Sequence, residues 1–331
     1  MDLFLPTLSQ MGYLFALIVI GYVLMKLRVV PDNAAGVLSK LENNLFIPAL
    51  VMGTFMTKFT VDNMQAAGQF FLGGLVTIAV TAPLGIALSF LCSRDRYERK
   101  ICTYGLAFSN FGFMGNAVVK GLFDESFLLL YLIFTLPFWA LIYTWGVPTL
   151  LIPAGEGKRG VWQRIKPFVN PMFIAMIIGI VLGLLPIGDH SYETFGFFGN
   201  LVRDLGNCMS PIAMILTGMT IAKIDIAKTL RNKAIYLASA FRLVLIPLAS
   251  IGIFALLLLW FPTLSREVVL CALCALAMPL GLSTIVVPAG YGMDTTVASG
   301  MALVSHLLSC LTIPLLFLLA QAAGILPAFG A

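Results

Sequence analysis

Leu106–Gly121 reads LAFSNFGFMGNAVVKG and lies inside a long apolar segment. It nevertheless carries Asn110 and Asn116, with Gly112 and Gly115 between them. Glycine costs a helix interior about 1 kcal/mol relative to alanine, and a buried amide without a partner is costly in hydrocarbon. A continuous lipid-facing helix gains nothing from either. An interrupted helix does, because the amides can satisfy backbone groups freed at the break. Irregular backbone at membrane depth survives only inside protein or beside a wet cavity.

A second stretch has the same character. Ala277–Ile285 reads AMPLGLSTI, and its Pro279 removes a donor and frees a carbonyl. Setting Arg99 on Arg266 lays Gly112 on Pro279 and Asn116 on Ser283. The two segments are thus expected to be broken, oppositely oriented spans that meet near the bilayer midplane. Half-helices beginning around Gly115 and Leu282 would present free N–H groups and a positive dipole end, a ready site for an anion. The candidate substrate-binding residues are Asn110, Gly112, Gly115, Asn116, Pro279, Gly281, Ser283 and Thr284. The competing reading is a pair of kinks packed tightly through small residues, with no ligand.

The rest of the chain supplies the setting. Of its 331 residues 60% are hydrophobic and 11% charged, and the mean hydropathy is +0.99. Soluble domains average about 45–50% apolar and 25% charged, so there is too little charge here to cover a water-facing surface. Hydropathy gives ten spans, near 6–29, 33–57, 66–92, 99–122, 127–152, 168–186, 198–222, 233–261, 266–290 and 294–324. "MDLFLPTLSQMG" lacks a positive n-region, so no removable signal peptide is expected. Cys92, Cys102, Cys208, Cys271, Cys274 and Cys310 read as small buried hydrophobes. The C-x-x-C of Cys271 and Cys274 lacks a second pair, so neither a metal site nor a cofactor is expected.

Basic residues concentrate in alternate loops: Lys26 and Arg28; Arg94, Arg96, Arg99 and Lys100; Lys158, Arg159, Arg164 and Lys166; Lys223, Lys228, Arg231 and Lys233. The opposite loops hold Lys58, Lys120 and Arg266, with Asp62, Asp124, Glu125, Asp189 and Glu193. The first set is therefore expected in the cytoplasm of a cell (inner) membrane protein, with both termini outside.

Ten spans divide into residues 1–152, a linker at 153–167, and 168–331. Span two carries N-x3-P-x5-T at Asn44, Pro48 and Thr54, and span seven repeats it at Asn207, Pro211 and Thr217. Pro83 matches Pro247, Arg99 matches Arg266, and Pro137 matches Pro314. The offsets are 163, 164, 167 and 177 residues, in order. Five spans per half invert the second half relative to the first, as in transporter repeats. The fold class is thus all-α integral membrane, two inverted five-helix repeats with helices four and nine broken.

Asn44, Pro48, Asn207 and Pro211 are read as helix kinks, the asparagines helping to satisfy the freed carbonyls, and Thr54 and Thr217 as hydroxyls bonded back to their own helices. Intramembrane charges are functional candidates. Glu42 and Arg242 lie about 15 Å in from a helix end and would pair, or Glu42 would take a coupling proton or help bind sodium. His306 is a proton relay or a packing histidine. Lys40 would snorkel, and Arg203 and Asp204 would form a local pair.

At Asn110 followed by Met114-Gly115, at Pro279-Leu280-Gly281-Leu282, at the Pro48 kink and at "ILTGM" (Ile215–Met219), the chain resembles the auxin efflux carrier family. That family includes the plant PIN-formed carriers and bacterial organic-acid permeases. The resemblance spans nearly the whole chain. It implies an elevator-type carrier of organic anions, with a scaffold from helices 1, 2, 6 and 7 and a transport part from helices 3–5 and 8–10. Plant members often place proline where this chain has Ser109 and Asn116, and many carry a long cytoplasmic loop missing here. These departures point away from auxin and toward a mono- or dicarboxylate such as malonate or malate.

The functional expectation is a secondary transporter of a small organic anion. Alternatives are a cation-coupled symporter or antiporter with other cargo, and a ligand-binding membrane sensor. No H-E-x-x-H or G-x-S-x-G suggests an enzyme. The partners expected are the anion, membrane lipid, a proton or sodium ion, and a second copy in a homodimer, with no nucleic acid.

Overall fold

The computed structural model describes residues 4–153, 170–187, 189–223, 229, 231–260 and 264–325, without the side chains of 62–66 and 290. The 153–167 linker, apart from its first residue, and Lys228 lie outside the described residues. Among those described, all regular structure is helical. Six helical stretches are long and apolar enough to cross a membrane: Phe4–Lys26, Ala67–Cys92, Glu125–Leu151, Gly196–Ala222, Lys233–Trp260 and Thr296–Ala322. The other four segments expected to span hold shorter or interrupted helices.

In chain order, α1 is Phe4–Lys26, α2 Ala34–Leu41, α3 Ile47–Lys58, α4 Val61–Cys92 and α5 Arg96–Ala107. Then come α6 Asn116–Leu122, α7 Glu125–Leu141, α8 Pro171–Gly183 and α9 Gly196–Ala222. The last are α10 Lys233–Ala240, α11 Ile246–Trp260, α12 Arg266–Leu276, α13 Ser283–Gly290 and α14 Thr296–Ala322. Several starts are written in the sequence as caps. Asp95 accepts from the Tyr97 and Glu98 N–H groups, Asp124 from Phe127, Asn170 from Phe173, Asn232 from Ala234 and Ser265 from Glu267. Each satisfies donors that a helix N-terminus leaves open.

Two spans are joined through wide turns rather than broken. The π-turn Glu42–Phe46 links α2 to α3 and is followed by Pro48. The π-turn Phe241–Leu245 links α10 to α11 and is followed by Pro247. Proline has no N–H, and its ring crowds the carbonyl four residues back. Widening the preceding turn to i→i+5 bonding relieves that crowding. Pro211, by contrast, sits inside α9 without ending it. Lys120 Nζ reaches across from α6 to donate to the Gly206 carbonyl at 3.2 Å and to Asn207 Oδ1 at 2.7 Å. Asn207 therefore takes a cation from another helix instead of satisfying its own kink. Asn44 donates to the Lys40 carbonyl, one turn back. Thr54 and Thr217 bond back to Leu50 and Ala213 at 2.8 Å each.

The helices share contacts across the whole bundle, with α1 touching α14 and α3 touching α7. α1 runs along α9, and α3 lies against both α8 and α9. α4 packs on α5 and α7, α10 on α14, and α11 on α12. The α1–α9 crossing is close because Gly21 faces the Ile215 carbonyl and Gly218 faces that of Ile18, where any Cβ would collide with backbone. Close approach through small residues is how apolar helices gain packing energy in lipid.

Candidate functional site

The interruption after α5 and the one after α12 meet. α5 stops at Ala107, and Phe108–Asn110 leave helical geometry. α12 stops at Leu276, and α13 does not begin until Ser283. Ser109 and Leu280 form an isolated antiparallel bridge where the two segments cross. The Asn110 N–H donates to the Pro279 carbonyl at 2.8 Å. Ser109 Oγ donates to the Ala275 carbonyl at 2.5 Å, and the Leu280 N–H donates to Ser305 Oγ at 3.2 Å. Backbone stripped of helical partners is thus re-satisfied locally, as burial demands.

Arg242 secures the crossing from behind. Its side chain is fully buried. One Nη donates to the Leu106 carbonyl at 2.9 Å, Nε donates to that of Met278 at 3.2 Å, and the other Nη donates to that of Leu276. These carbonyls belong to the C-terminal ends of α5 and α12, where orphan acceptors and a negative dipole end collect. One guanidinium therefore ties both broken helices together. Three of its five N–H donors are used in this way, and among the described residues it forms no ion pair with Glu42.

Glu42 opens the other proline-made π-turn and is also fully buried. Neither of its carboxylate oxygens has a hydrogen-bond partner among the described residues.

His306 on α14 closes the set. Its Nδ1 donates to the Ala302 carbonyl at 2.8 Å, so its Nε2 is the acceptor for the Asn110 amide at 3.2 Å. That arrangement uses a neutral ring with the proton on Nδ1. Asn110 is therefore committed inside the protein.

Beside the crossing lies a cavity of about 300 Å³. Its polar wall comes from Ser39, Asn43 and Asn44, from Asn170 at the start of α8, and from Ser283. Its apolar wall includes Phe113, Trp139, Tyr143 and Leu282. Trp139 and Tyr143 stack with centroids 5.9 Å apart and planes 19° apart. Phe111 holds the wall in place, its ring 5.0 Å from Trp139 and 5.4 Å from Phe138. A volume of this size, mostly apolar with a few convergent polar groups, is typical of a small-molecule site.

Of the eight residues expected to bind substrate, Ser283 lines this cavity. Asn116 is buried at the start of α6 and Thr284 bonds to the Gly281 carbonyl at 2.7 Å. Gly112 and Gly115 make room for Trp139 and for the Tyr131 hydroxyl, which donates to the Phe111 carbonyl at 3.1 Å. Gly281 and Pro279 belong to the backbone crossing itself. The N–H groups expected to be free near Gly115 are not free. Met114 and Gly115 both donate to the Asn110 carbonyl, because the π-turn Phe111–Gly115 carries helical bonding back to Asn110. Ser39, Asn43, Phe113, Trp139, Tyr143 and Asn170 were missed. The Asn43-Asn44 doublet in an apolar span and the i, i+4 spacing of Trp139 and Tyr143 were the available signals.

A family model described as a membrane transport protein matches residues 6–317. A relative described as an uncharacterized transporter, from Methanothermobacter thermautotrophicus, is 24% identical over 317 residues, covering 95% of this chain and 98% of the relative.

Proposed function

Because the chain belongs to the auxin efflux carrier family of membrane transport proteins, we propose that it is a secondary transporter of a small organic anion, a mono- or dicarboxylate such as malonate or malate. The observation that carries this reading is the cavity between the crossing and the Asn43-Asn44 turn. Its amides, hydroxyls and aromatic faces suit a ligand with a short carbon body and a polar head.

In this reading ten spans form two inverted five-helix repeats. The set built on α1, α2, α3, α8 and α9 is the scaffold, and the helices around the crossing are the moving part of an elevator. Support comes from the crossing of the two interruptions and from the packing of α1 on α9 and of α3 on α8 and α9. The cavity borders Asn170 and Pro171, just after the linker assigned to the cytoplasm, so this conformation faces inward. Away from that mouth, Lys120 on Gly206 and Asn207, and Gln10 Nε2 on the Ala117 carbonyl, hold α6 against α9 and α1.

Ligand binding raises thermal stability by mass action. A thermal-shift screen of carboxylates and their neutral amides on the purified protein tests the substrate class. Stabilisation by carboxylates alone is expected. Stabilisation by the amides alone would reverse the assignment of charge. Counterflow of labelled substrate in proteoliposomes then separates a carrier from a pore.

One observation favours coupling to a cation. Glu42 is a buried carboxyl with no partner among the described residues, on the same turn as cavity-lining Asn43 and Asn44. A lone carboxylate there is expensive, so a proton or sodium ion is the natural companion. Uptake driven by a pH or sodium gradient, and abolished in Glu42→Gln, is the expected result.

A further inference from the structure

A second concave site lies away from the crossing, at the end of the bundle where α4 finishes and α10 starts. It encloses about 870 Å³ and is lined by Phe90, Leu91, Arg94, Lys233, Tyr236, Leu237 and their neighbours. The two helices contribute in the same order. On α4 the exposed pair Phe90 and Leu91 is followed, one turn on, by Arg94 beyond the helix end. On α10 the first residue is Lys233, followed at helical spacing by Tyr236, Leu237 and Ala240 on one face. Both cations therefore stand at the mouth, and both apolar faces run inward from them. Phe90 and Leu91 are 59% and 65% exposed, more than packing against protein would leave.

A third cation reaches the same wall. The Arg99 guanidinium sits over the Phe90 ring, 4.5 Å from its centroid. Among the described residues no carboxylate lines the groove. Of the two acids on the adjoining segment, Asp95 caps α5. Glu98 accepts from Ser93 Oγ at 2.7 Å and from Asn232 Nδ2 at 3.0 Å, which ties the α4 end to the α10 start. Arg94 and Lys233 have no ion pair among the described residues.

We propose that this groove binds one anionic glycerophospholipid, its phosphate held by Arg94 and Lys233 and an acyl chain laid against Phe90, Leu91, Tyr236 and Leu237. Two cations above two apolar walls match the charge and polarity of an acidic lipid end to end. A zwitterionic lipid brings its own cation into the same mouth and loses that match. Basic pockets between membrane helices are known to select acidic headgroups, at a gain of about tenfold or less per cation. The lipid bridges α4 and α10 beside the Glu98–Asn232 contact, and so stiffens the seam behind Arg242.

The test reads binding rather than transport, so it stands whatever the carrier moves. The full chain in detergent is titrated with dioleoyl phosphatidylglycerol, dioleoyl phosphatidylcholine or inorganic phosphate, and followed by thermal shift and native mass spectrometry. Phosphatidylglycerol is expected to raise the melting temperature and to remain bound, while the other two do neither. The R94Q/K233Q double variant should bind it about thirtyfold more weakly. Ala240→Trp keeps every charge but fills the groove, and should also lose the retained lipid. Equal stabilisation by phosphatidylcholine, a full effect of inorganic phosphate, or unchanged retention by Ala240→Trp would each overturn the proposal. If the double variant does not fold, the Ala240→Trp result decides.

Discussion

Two turns of this molecule have the same construction and opposite chemistry. Glu42–Phe46 before Pro48 and Phe241–Leu245 before Pro247 are both π-turns forced by a proline, and each buries one charged side chain. Arg242 finds three carbonyls at the ends of two broken helices. Glu42 finds nothing among the described residues. The same local device thus serves architecture in one place and leaves an unsatisfied group in the other. A buried group that is fully bonded holds a fold together. A buried group left bare calls for another explanation, and Glu42 is the chain neighbour of cavity-lining Asn43.

The contrast can be broken most decisively at Arg242. Arg242→Leu strands three buried acceptors, each worth about 1–3 kcal/mol. A loss of about 3 kcal/mol or more is expected, read as a large fall in melting temperature in detergent, with Arg242→Lys recovering part of it. A wild-type melting temperature in Arg242→Leu would show that the crossing stands without it.

Glu42→Gln should do the reverse. The amide is nearly the same size and carries no charge, so stability should change by less than about 1 kcal/mol. Gradient-driven uptake in proteoliposomes should nevertheless fall by more than about tenfold, a loss worth over about 1.4 kcal/mol. If this variant unfolds as readily as Arg242→Leu, both turns are architectural and the contrast disappears.

Ser283→Ala sharpens the picture at the cavity itself. Removing one hydrogen bond to a charged ligand costs about 1.5 kcal/mol, so KM for the stabilising carboxylate should rise about tenfold with melting temperature unchanged. The smallest effects are expected from the prolines. Pro247→Ala lets the turn tighten and shifts the register of Arg242, for a net loss of about 1 kcal/mol after helix propensity is regained. Pro48→Ala gains that propensity, and Asn43 and Asn44 on its turn bond only one turn back, to Ser39 and Lys40, so it should be neutral or stabilising while uptake falls about fivefold. Equal stability changes in the two variants would mean the turns differ less than their bonding indicates.

Much of this was legible beforehand. The breaks in spans four and nine follow from Asn, Gly and Pro in apolar surroundings, since those residues are costly in a lipid-facing helix. Helix starts at Asp95, Asp124, Asn170, Asn232 and Ser265 are caps that can be read from single residues. The surroundings of the polar groups are less legible. A buried amide needs a partner, and that of Asn110 is His306, 196 positions away. Glu42 and Arg242 looked like a pair because both were charges at similar depth. The Arg242 partners came instead from Leu106, Leu276 and Met278.

The amino-acid order alone determined that this chain lives in a membrane and where its helices must break, because composition and local backbone cost act within a turn or two. Only the tertiary structure decided which polar groups serve the protein and which face the cavity. That choice depends on helical phase, which the π-turns reset at Phe111–Gly115 and Glu42–Phe46, and on carbonyls brought in from distant segments.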